Sequence, residues 1–433
     1  MKRVLIITYY WPPSGGSGVQ RWLKFVKYLR EFGWEPVVYT PENPEMPSSD
    51  TSLLSEVSED IEIIKTKIWE PYSFYKRFIG KKKSEKINTG FLSESKKPKL
   101  TEALSVWIRG NIFIPDARKF WIKPSVKFLK KYLADNPVDA MVSTGPPHSM
   151  HLIALGIKKS LNTPWIADFR DPWTNIDFYD KLLLSRFADR SHHLKEQKVI
   201  RNADLLTIVS WNWANDFRIL GAKRVEVITN GYDPSDFKSL NRINSVKFEL
   251  CHIGSINKDR NPNKLWEAIS VVAENIEGFK DNLKITLLGS VDHQVFEDLN
   301  LYNLLGQVEH ISYLPHKEVL QRAVSSIVLL LPLNDTPNVA GIVPGKIFEY
   351  LALKKPILCV GTTTGDSARI IRETNSGITL EFNAKNDMID AVTKYYQEFK
   401  VNGFIEMEKT DFNSYSRIEL TAKMGHALCS ITH

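Results

Sequence analysis

The chain has 433 residues, which is too long for one ordinary hydrophobic core and predicts two domains of roughly 200 residues each. With 43% apolar and 25% charged residues and no low-complexity tract, the composition excludes a largely disordered protein. The net charge of +7 is concentrated in residues 65–131, where 18 Lys and Arg stand against 5 Asp and Glu, so a uniformly basic chain is also excluded.

The first forty residues predict a strand, a glycine loop, a helix and a second strand. Val4–Thr8 is a β-rich run, as expected of a strand that is covered on both faces. The helix after Ser14–Gly18 carries its apolar residues on one stripe and ends at Gly33, and Pro36–Tyr39 begins the next strand. A βαβ unit of this kind has parallel strands, so the sequence predicts a doubly wound α/β sheet.

Similar units recur along the chain. Further strands are predicted at Ala140–Ser143, Trp165–Asp168, Leu205–Val209 and Val225–Ile228 and, after a polar linker at Lys238–Lys247, at Phe248–Ile253, Ile285–Leu288, Ile327–Leu331 and Ile357–Val360. Helices are predicted at His148–Ser160, Asn261–Glu274, Lys317–Ser325, Lys346–Leu353, Asp387–Phe399 and Tyr415–Cys429. We therefore expect an N-terminal domain over residues 1–240 with a basic aromatic insertion near 65–131, a C-terminal domain over 241–410, and a last helix within 411–433.

No apolar run reaches the ~20 residues that a membrane-spanning helix needs. The three cysteines, Cys251, Cys359 and Cys429, lack the paired spacings of a disulfide framework or a zinc site. A reducing, cytoplasmic location is therefore expected.

Parallel sheets bind ligands at the carboxyl ends of their strands, and two such domains facing each other form a cleft. The glycine-rich loop Gly15-Gly16-Ser17-Gly18 follows the first strand and precedes a helix, where backbone N–H groups favour an anion. It matches neither a dinucleotide fingerprint nor a P-loop. The alternative is a tight turn without a ligand.

Two further motifs follow strands in the N-terminal half. His148 stands at the start of a helix, where an imidazole tends to remain neutral and able to accept a proton, although a purely structural histidine fits equally well. Asp168, Arg170 and Asp171 form an acidic and basic cluster that would orient sugar hydroxyls or neutralise a phosphate. Alternatively, this cluster is an ion network that braces the loop.

Two motifs in the C-terminal half combine cations with helix starts. Ser255, Lys258 and Arg260 follow a glycine turn after a strand, which suits a diphosphate, or else form a solvated loop. Lys346 and Glu349 lie three residues apart on one helix face. They suit a phosphate and a ribose diol respectively, or else form a surface ion pair.

Taken together, the motifs resemble the retaining glycosyltransferases of family 4, which have the GT-B fold, over nearly the whole chain. The segments that carry the resemblance are Pro12–Gly16, Asn230–Asp233, His252–Ser255, Tyr313–Glu318 and Pro344–Leu351. Ser143–His148 and Ala167–Trp173 resemble a bacterial subset that assembles surface polysaccharides. The resemblance implies two Rossmann-like domains facing across a cleft, with the last helix crossing back to the N-terminal domain.

The resemblance also implies roles for individual residues. The implied donor-binding residues are Gly15, Gly16, Ser17, Ser255, Lys258, Arg260, Leu314, Ile342, Val343, Lys346 and Glu349. His148 and Asp171 are the implied catalytic residues, and Asp168 and Arg170 would contact the acceptor or support the site. Two departures from the family concern the donor: Gly341 replaces the first glutamate of the E-x7-E motif, and Ser255 replaces an arginine that many members carry.

The expected reaction transfers a sugar from a UDP-sugar or a GDP-sugar to a hydroxyl of a glycan or lipid-linked acceptor, with retention, in polysaccharide biosynthesis. No metal is expected, because the chain contains no Asp-x-Asp, and no cofactor is expected besides the nucleoside diphosphate sugar that serves as donor substrate. Cations interleaved with aromatics between Ile68 and Leu133 suit an anionic membrane surface on the inner face, or a basic loop with no membrane role.

Three other functions fit parts of the sequence. A nucleic-acid binder leaves the glycine loops and Glu349 unexplained. An inactive sugar-nucleotide-binding protein is suggested by Gly341, and a sugar-nucleotide epimerase shares the GT-B fold.

Overall fold

The computed structural model describes residues 1–46, 48–71, 100–243, 245–407 and 411–432 of the chain. The chain divides into two units, one made of Met1–Thr229 with Arg417–His433 and the other of Asn230–Ser416. Each unit is built on one sheet in which neighbouring strands run parallel.

The sheet of the first unit has seven described strands. They are β1 (Lys2–Ile7), β2 (Trp34–Pro41), β3 (Glu62–Thr66), β4 (Ala140–Gly145), β5 (Trp165–Phe169), β6 (Leu205–Ile208) and β7 (Val225–Val227). Their order in the sheet is β3-β2-β1-β4-β5-β6-β7. Because the order reverses between β1 and β4, a crevice is expected at the carboxyl ends of these two strands.

The main helices of this unit before residue 229 connect its strands. They are α1 (Ser17–Tyr28), α2 (Leu100–Asn111), α3 (Lys119–Asp135), α4 (Ser149–Leu161), α5 (Arg186–Asn202) and α6 (Trp211–Ile219). The predicted apolar stripe of α1 is buried: Val19, Trp22, Leu23 and Val26 share one core cluster with Val4 of β1. Burial of this stripe attaches α1 to the sheet and so places the glycine loop at the end of β1.

The second unit has a six-stranded sheet. Its strands are β8 (Phe248–Ile253), β9 (Leu283–Leu288), β10 (Val308–Ile311), β11 (Val328–Pro332), β12 (Ile357–Val360) and β13 (Gly377–Leu380). Their order is β10-β9-β8-β11-β12-β13. The helices are α7 (Asn263–Asn275), α8 (Phe279–Asn282), α9 (His293–Leu301), α10 (His316–Ala323), α11 (Lys346–Leu353), α12 (Asp366–Glu373) and α13 (Lys385–Asn402).

The last helix, α14 (Arg417–Cys429), belongs to the first unit although it follows the second unit in sequence. Leu420, Met424 and Leu428 join the same core cluster as Trp22 of α1. A Cβ atom added at Gly425 would lie 3.1 Å from Cβ of Phe32, so this glycine allows the close approach of the helix.

The predicted α/β class is confirmed: each of the two units has a parallel sheet whose strands are connected by helices, as in Rossmann-like domains. Each strand that the sequence predicts is present to within two residues at either end. Strands β3, β10 and β13 were not predicted. All three lie at sheet edges, where their residues are only partly buried.

Candidate functional site

The connection after β8 brings a lysine ammonium against a glycine turn. Gly254 has a backbone φ of +95°, which residues with a Cβ atom rarely adopt. A Cβ atom at this position would lie 2.9 Å from Nζ of Lys346, the first residue of α11. The glycine therefore allows this lysine to lie directly beside the end of β8.

Arg260 is held over the same turn. It ends a short 3-10 helix, Lys258–Arg260, and is half-buried, whereas Lys258 is exposed. Its Nε donates to Oδ1 of Asn334 at 2.9 Å, and one terminal nitrogen donates to the carbonyl oxygen of Ser255 at 3.0 Å. Asn334 follows β11, so the ends of two neighbouring strands position this guanidinium.

A buried histidine positions the Lys346 ammonium. Nδ1 of His252 hydrogen-bonds the carbonyl oxygen of Leu330 at 2.9 Å, which places the ring proton on Nδ1. Nε2 of His252, 3.3 Å from Nζ of Lys346, is then free to accept from the lysine. Burial lowers the pKa of His252 well below 6.5, and the charge of Lys346 adds to the shift, so the imidazole is neutral at neutral pH.

The two cations of this site destabilise each other. Burial lowers the pKa of Lys346 to about 7, and the charge of Arg260 contributes to the shift, while Glu349 opposes it. A dianionic group bound beside both cations would relieve their repulsion and restore the charge of the lysine. The electrostatics of the turn therefore favour a phosphate or a diphosphate.

Glu349 lies one turn further along α11 and pairs with a residue that the sequence did not suggest. Its Oε1 is 3.0 Å from Nε2 of His316, the first residue of α10. This contact takes the place of the Lys346–Glu349 ion pair that the sequence left open. Leu314 is half-buried in the connection between β10 and α10. This connection begins at the carboxyl end of β10, on the same side of the sheet as the Gly254 turn.

The segment before α11 carries the remaining predicted donor residues. Val343 is buried, and the carbonyl oxygen of Ile342 accepts from Oγ of Ser367 at 2.7 Å. Gly341 is also buried, at the end of a short 3-10 helix. The departure from the family motif thus lies inside the unit, at a position with no side chain to replace the missing carboxylate.

In the first unit, the glycine loop is tied to its surroundings by Arg170. Gly16 has a φ of +96° and immediately precedes α1; the side chain of Ser17 lies outside the described part of the structure. The N–H of Gly15 donates to the carbonyl oxygen of Ser48 at 2.9 Å. The Arg170 guanidinium donates to the carbonyl oxygens of Gly18 at 2.7 Å, Gly145 and Pro146, so it joins the connections that follow β1, β4 and β5.

Asp168 is a fully buried structural acceptor. Its carboxylate forms an ion pair with Arg21 at 2.8 Å and accepts hydrogen bonds from Trp22, Thr144 and Thr207. Burial alone would raise the pKa of this carboxyl, but Arg21 and the other donors hold it below 3.8. These contacts favour the supporting role for Asp168 over contact with an acceptor.

His148 is buried before α4, and its ring stacks on Trp173 with 4.6 Å between the ring centroids. Burial lowers its pKa well below 6.5, with smaller contributions from His151 and Arg170. The expected neutral imidazole is therefore present, but burial is its main cause. The helix start itself is capped by Asp116, which accepts from the N–H of Ser149 at 2.9 Å.

Asp171 follows β5 and is half-buried. Burial raises the pKa of its carboxyl, while Arg170 opposes the shift. Within the described ranges, no hydrogen bond joins Asp171 to His148. The two implied catalytic residues thus follow neighbouring strands without direct contact.

The second unit brings Ser255, Arg260, Lys346 and Glu349 together at the carboxyl ends of its strands. Lys258, in contrast, is exposed away from these contacts. His252, His316 and Asn334 complete the cluster, and no local sequence pattern assigns any of them a role. Asn334 follows a strand end, which is the signal that would have identified it. The two histidines stand in motifs that carried the family resemblance, so their positions were visible but not their partners.

No family model and no curated protein sequence matches the chain. Solved structures do. A glycosyltransferase from Rickettsia africae aligns with a TM-score of 0.54 at 13% identity, covering 100% of this chain and 94% of that one. WaaB, a lipopolysaccharide outer core galactosyltransferase, aligns with a TM-score of 0.57 at 10% identity, covering 99% of both chains.

A third structure, assigned as a UDP-N-acetylglucosamine 2-epimerase from Listeria monocytogenes, aligns with a TM-score of 0.54 at 10% identity and covers 99% of this chain and 96% of that one. At such identities the similarity establishes a shared fold along essentially the whole chain. That fold is the GT-B fold, which glycosyltransferases and other sugar-nucleotide enzymes use.

Proposed function

We propose that the protein is a glycosyltransferase that transfers a sugar from a nucleoside diphosphate sugar to a hydroxyl of a glycan or lipid-linked acceptor, with retention, in polysaccharide biosynthesis. Donor binding is assigned to the second unit and acceptor binding to the first. UDP-sugars are the first candidates for the donor and GDP-sugars the second. The GT-B fold and the charged cluster at the strand ends of the second unit both support this function.

The observation that carries the proposal is the pair of cations at the Gly254 turn. Lys346 and Arg260 lie close enough for the arginine to depress the pKa of the lysine, and both are fixed by hydrogen bonds. Departure of a sugar from a nucleotide develops negative charge on the diphosphate, and fixed cations stabilise such charge most effectively. The cluster therefore supports catalysis in addition to donor binding.

Other residues are given complementary roles. Glu349, oriented by His316, would accept hydrogen bonds from the ribose hydroxyls, and Leu314 would lie beside the nucleobase. In the first unit, neutral His148 would contact the reacting sugar and Asp171 would assist there, while Arg170 holds the glycine loop in place. Retention would follow if the leaving phosphate accepts the proton of the acceptor hydroxyl.

A nucleotide screen tests the donor assignment. UDP or GDP is expected to raise the Tm more than the corresponding monophosphate, because only the diphosphate places a second phosphate beside Lys346 and Arg260. Binding to the native state alone stabilises by about 2.7 kcal/mol at a ligand concentration of 100 times Kd. Equal shifts for the monophosphate and the diphosphate would contradict a diphosphate site.

The affinity for the nucleotide-sugar is expected to fall by about tenfold between pH 6 and pH 8, because the free lysine loses its charge near its pKa of about 7 and must regain a proton to bind the diphosphate. The diphosphate of a nucleotide-sugar keeps its charge over this range, so calorimetry isolates the lysine. Lys346→Arg is the matched control, since arginine stays protonated. A pH dependence that persists in Lys346→Arg would assign the effect to another group.

Two alternatives are supported by particular observations. The buried Gly341, which lacks the family's first carboxylate, favours a sugar-nucleotide-binding protein with weak or no activity. The fold shared with the Listeria structure favours a sugar-nucleotide epimerase. Product analysis distinguishes these alternatives from a transferase. A transferase releases the nucleotide, an epimerase returns an intact nucleotide-sugar with an altered sugar, and an inactive binding protein leaves the nucleotide-sugar unchanged.

The location proposed is the inner face of the cytoplasmic membrane. Trp69, Phe120 and Phe128 are exposed in the first unit, and α3 carries exposed cations such as Lys123 and Lys127 beside them. Each cation near an anionic surface contributes about 1 kcal/mol. The rest of the predicted basic segment, residues 72–99, lies outside the described residues, and no described helix is both long and apolar enough to cross a bilayer.

A further inference from the structure

A cavity of about 160 Å³ lies in the first unit beside His148. Its walls include Phe113 and Pro115 after α2, Pro147 before α4, and Trp173 and Ile176 after β5. An apolar cavity of about 150 Å³ holds a benzene ring, so this one has room for about six carbon atoms. The roles proposed above use one of its wall residues, His148.

Most polar groups of the cavity wall are engaged with other parts of the protein, whereas Nδ1 of His148 is buried and has no hydrogen-bond partner among the described residues. Asp116 caps α4, and the hydroxyl of Tyr179 donates to Asp189 at 3.0 Å. His192 accepts from Nε1 of Trp173 at 3.1 Å, and its other nitrogen lies 3.3 Å from the carbonyl oxygen of Gly110. A sugar or a nucleobase in the cavity would lose hydrogen bonds to water without replacing most of them, which is unfavourable. Hydrocarbon meets no such penalty.

The apolar surface continues out of the cavity. The ring of Phe113 lies 6.2 Å from that of Phe120, which in turn lies 4.8 Å from that of Trp69. Phe120 and Trp69 are 41% and 54% exposed. This aromatic path leads from the cavity wall to the surface and is long enough to cover more carbon atoms than the cavity holds.

Cations flank the cavity and the path. Arg109, exposed near the end of α2, lines the cavity. Nζ of Lys119 lies 5.3 Å from the ring centroid of Phe120 and 5.9 Å from that of Phe113. An apolar path with cations beside it complements an amphiphile whose head group is anionic.

We propose that this cavity binds the hydrocarbon chain of an anionic lipid-linked acceptor, with about six of its carbon atoms inside the cavity and others along Phe113, Phe120 and Trp69. The phosphate of the lipid lies near Arg109 and Lys119. This site rests on the proposed glycosyltransferase function and specifies its acceptor as an isoprenyl or alkyl phosphate carrier. A free glycan acceptor would have no use for such a cavity.

The test measures binding of geranyl phosphate, decyl phosphate and methyl phosphate by calorimetry, below the micelle concentrations of the first two. Both long-chain phosphates are expected to bind at least tenfold more tightly than methyl phosphate. Preference for geranyl over decyl phosphate assigns an isoprenyl carrier, and the reverse preference assigns an alkyl carrier. Equal affinity for all three phosphates would overturn the proposal.

Variants locate the binding. Ile176→Trp fills the cavity and is expected to weaken geranyl phosphate binding at least tenfold, whereas Ile219→Ser changes a residue that is 84% exposed on α6 and should leave it unchanged. Phe178→Ser, at a partly exposed wall residue, provides a second test if Ile176→Trp does not fold. Binding that neither cavity variant weakens would place the hydrocarbon elsewhere and overturn the proposal.

A parallel titration with UDP and GDP separates the two hypotheses. If the protein binds UDP or GDP but not geranyl phosphate, the acceptor cavity is overturned and the proposed function is not. If the protein binds geranyl phosphate but neither UDP nor GDP, the proposed function is overturned and the cavity is still a lipid-binding site.

Discussion

Lys346→Met is expected to lower the rate of donor hydrolysis roughly 100-fold to 1000-fold, the loss that follows removal of one fixed charge or hydrogen-bond donor from a transition state. Methionine keeps the length of the side chain over Gly254 but removes the ammonium that Arg260 and His252 surround. The assay measures sugar release, without an acceptor, from the nucleotide-sugar that raises the Tm most. The loss should appear in kcat, because the negative charge near Lys346 grows as the diphosphate departs, and KM should also rise, because donor binding already depends on the ammonium.

The matched control is Lys394→Met, which removes an exposed lysine on α13 and should leave both hydrolysis and Tm unchanged. Glu349→Ala should raise KM for the donor, because Glu349 is the residue proposed to bind the ribose. If Lys346→Met hydrolyses the donor at the rate of the unchanged protein, Lys346 is not the group that stabilises the leaving diphosphate. A folded Lys346→Met protein, verified by circular dichroism, is required for either conclusion.

Arg21→Met is expected to lower the free energy of unfolding by about 3–5 kcal/mol, since removal of one partner leaves a buried charge uncompensated. The side chains of Arg21 and Asp168 are both 0% exposed, and Arg21 also donates to the carbonyl oxygens of Ile228 and Thr229. The variant would therefore leave Asp168 buried among neutral donors only. Chemical denaturation measures the loss, and a surface control, Arg190→Met on α5, should change stability by no more than about 0.5 kcal/mol.

The pH dependence of this difference provides a second measurement. The pKa of Asp168 is held below 3.8, so its ion pair stabilises the protein fully above that pH and the contribution is lost as the pH falls through the folded-state pKa. The stability deficit of Arg21→Met should therefore be largest near neutral pH and shrink in acid. A deficit that is small at neutral pH would mean that the donors Trp22, Thr144 and Thr207 satisfy the carboxylate without Arg21.

Much of the fold followed from local sequence pattern. The six residues of Phe248–Ile253 are all buried, and they form strand β8 at the predicted boundaries. The apolar stripe of α1 likewise predicted which face of the helix is buried. Strand β10 lies at one edge of the sheet formed by the described strands, where its residues are at most half-buried, so no run of apolar residues marks it in the sequence.

The candidate site was predictable as a set of cations after strand ends, but not as a set of contacts. Arg260 follows a strand end and Lys346 begins a helix, which are local signals, and the structure brings the two cations together. The partner of Lys346 is His252, 94 residues earlier, and the partner of Glu349 is His316, 33 residues earlier. Such separations leave no local signal.

The motif around Asp168 illustrates the division. Its residues alone fitted either a ligand site or an ion network, and the choice depended on Arg21, which lies 147 residues away in sequence and donates to the carboxylate. The sequence by itself determined the parallel strands, the glycine turns and the edges where charged side chains gather, because hydrophobic periodicity and glycine conformation act over a few residues. Only the tertiary structure decided which charges are paired, which are buried and where the cavity beside His148 lies, because these depend on how distant strands and helices pack together.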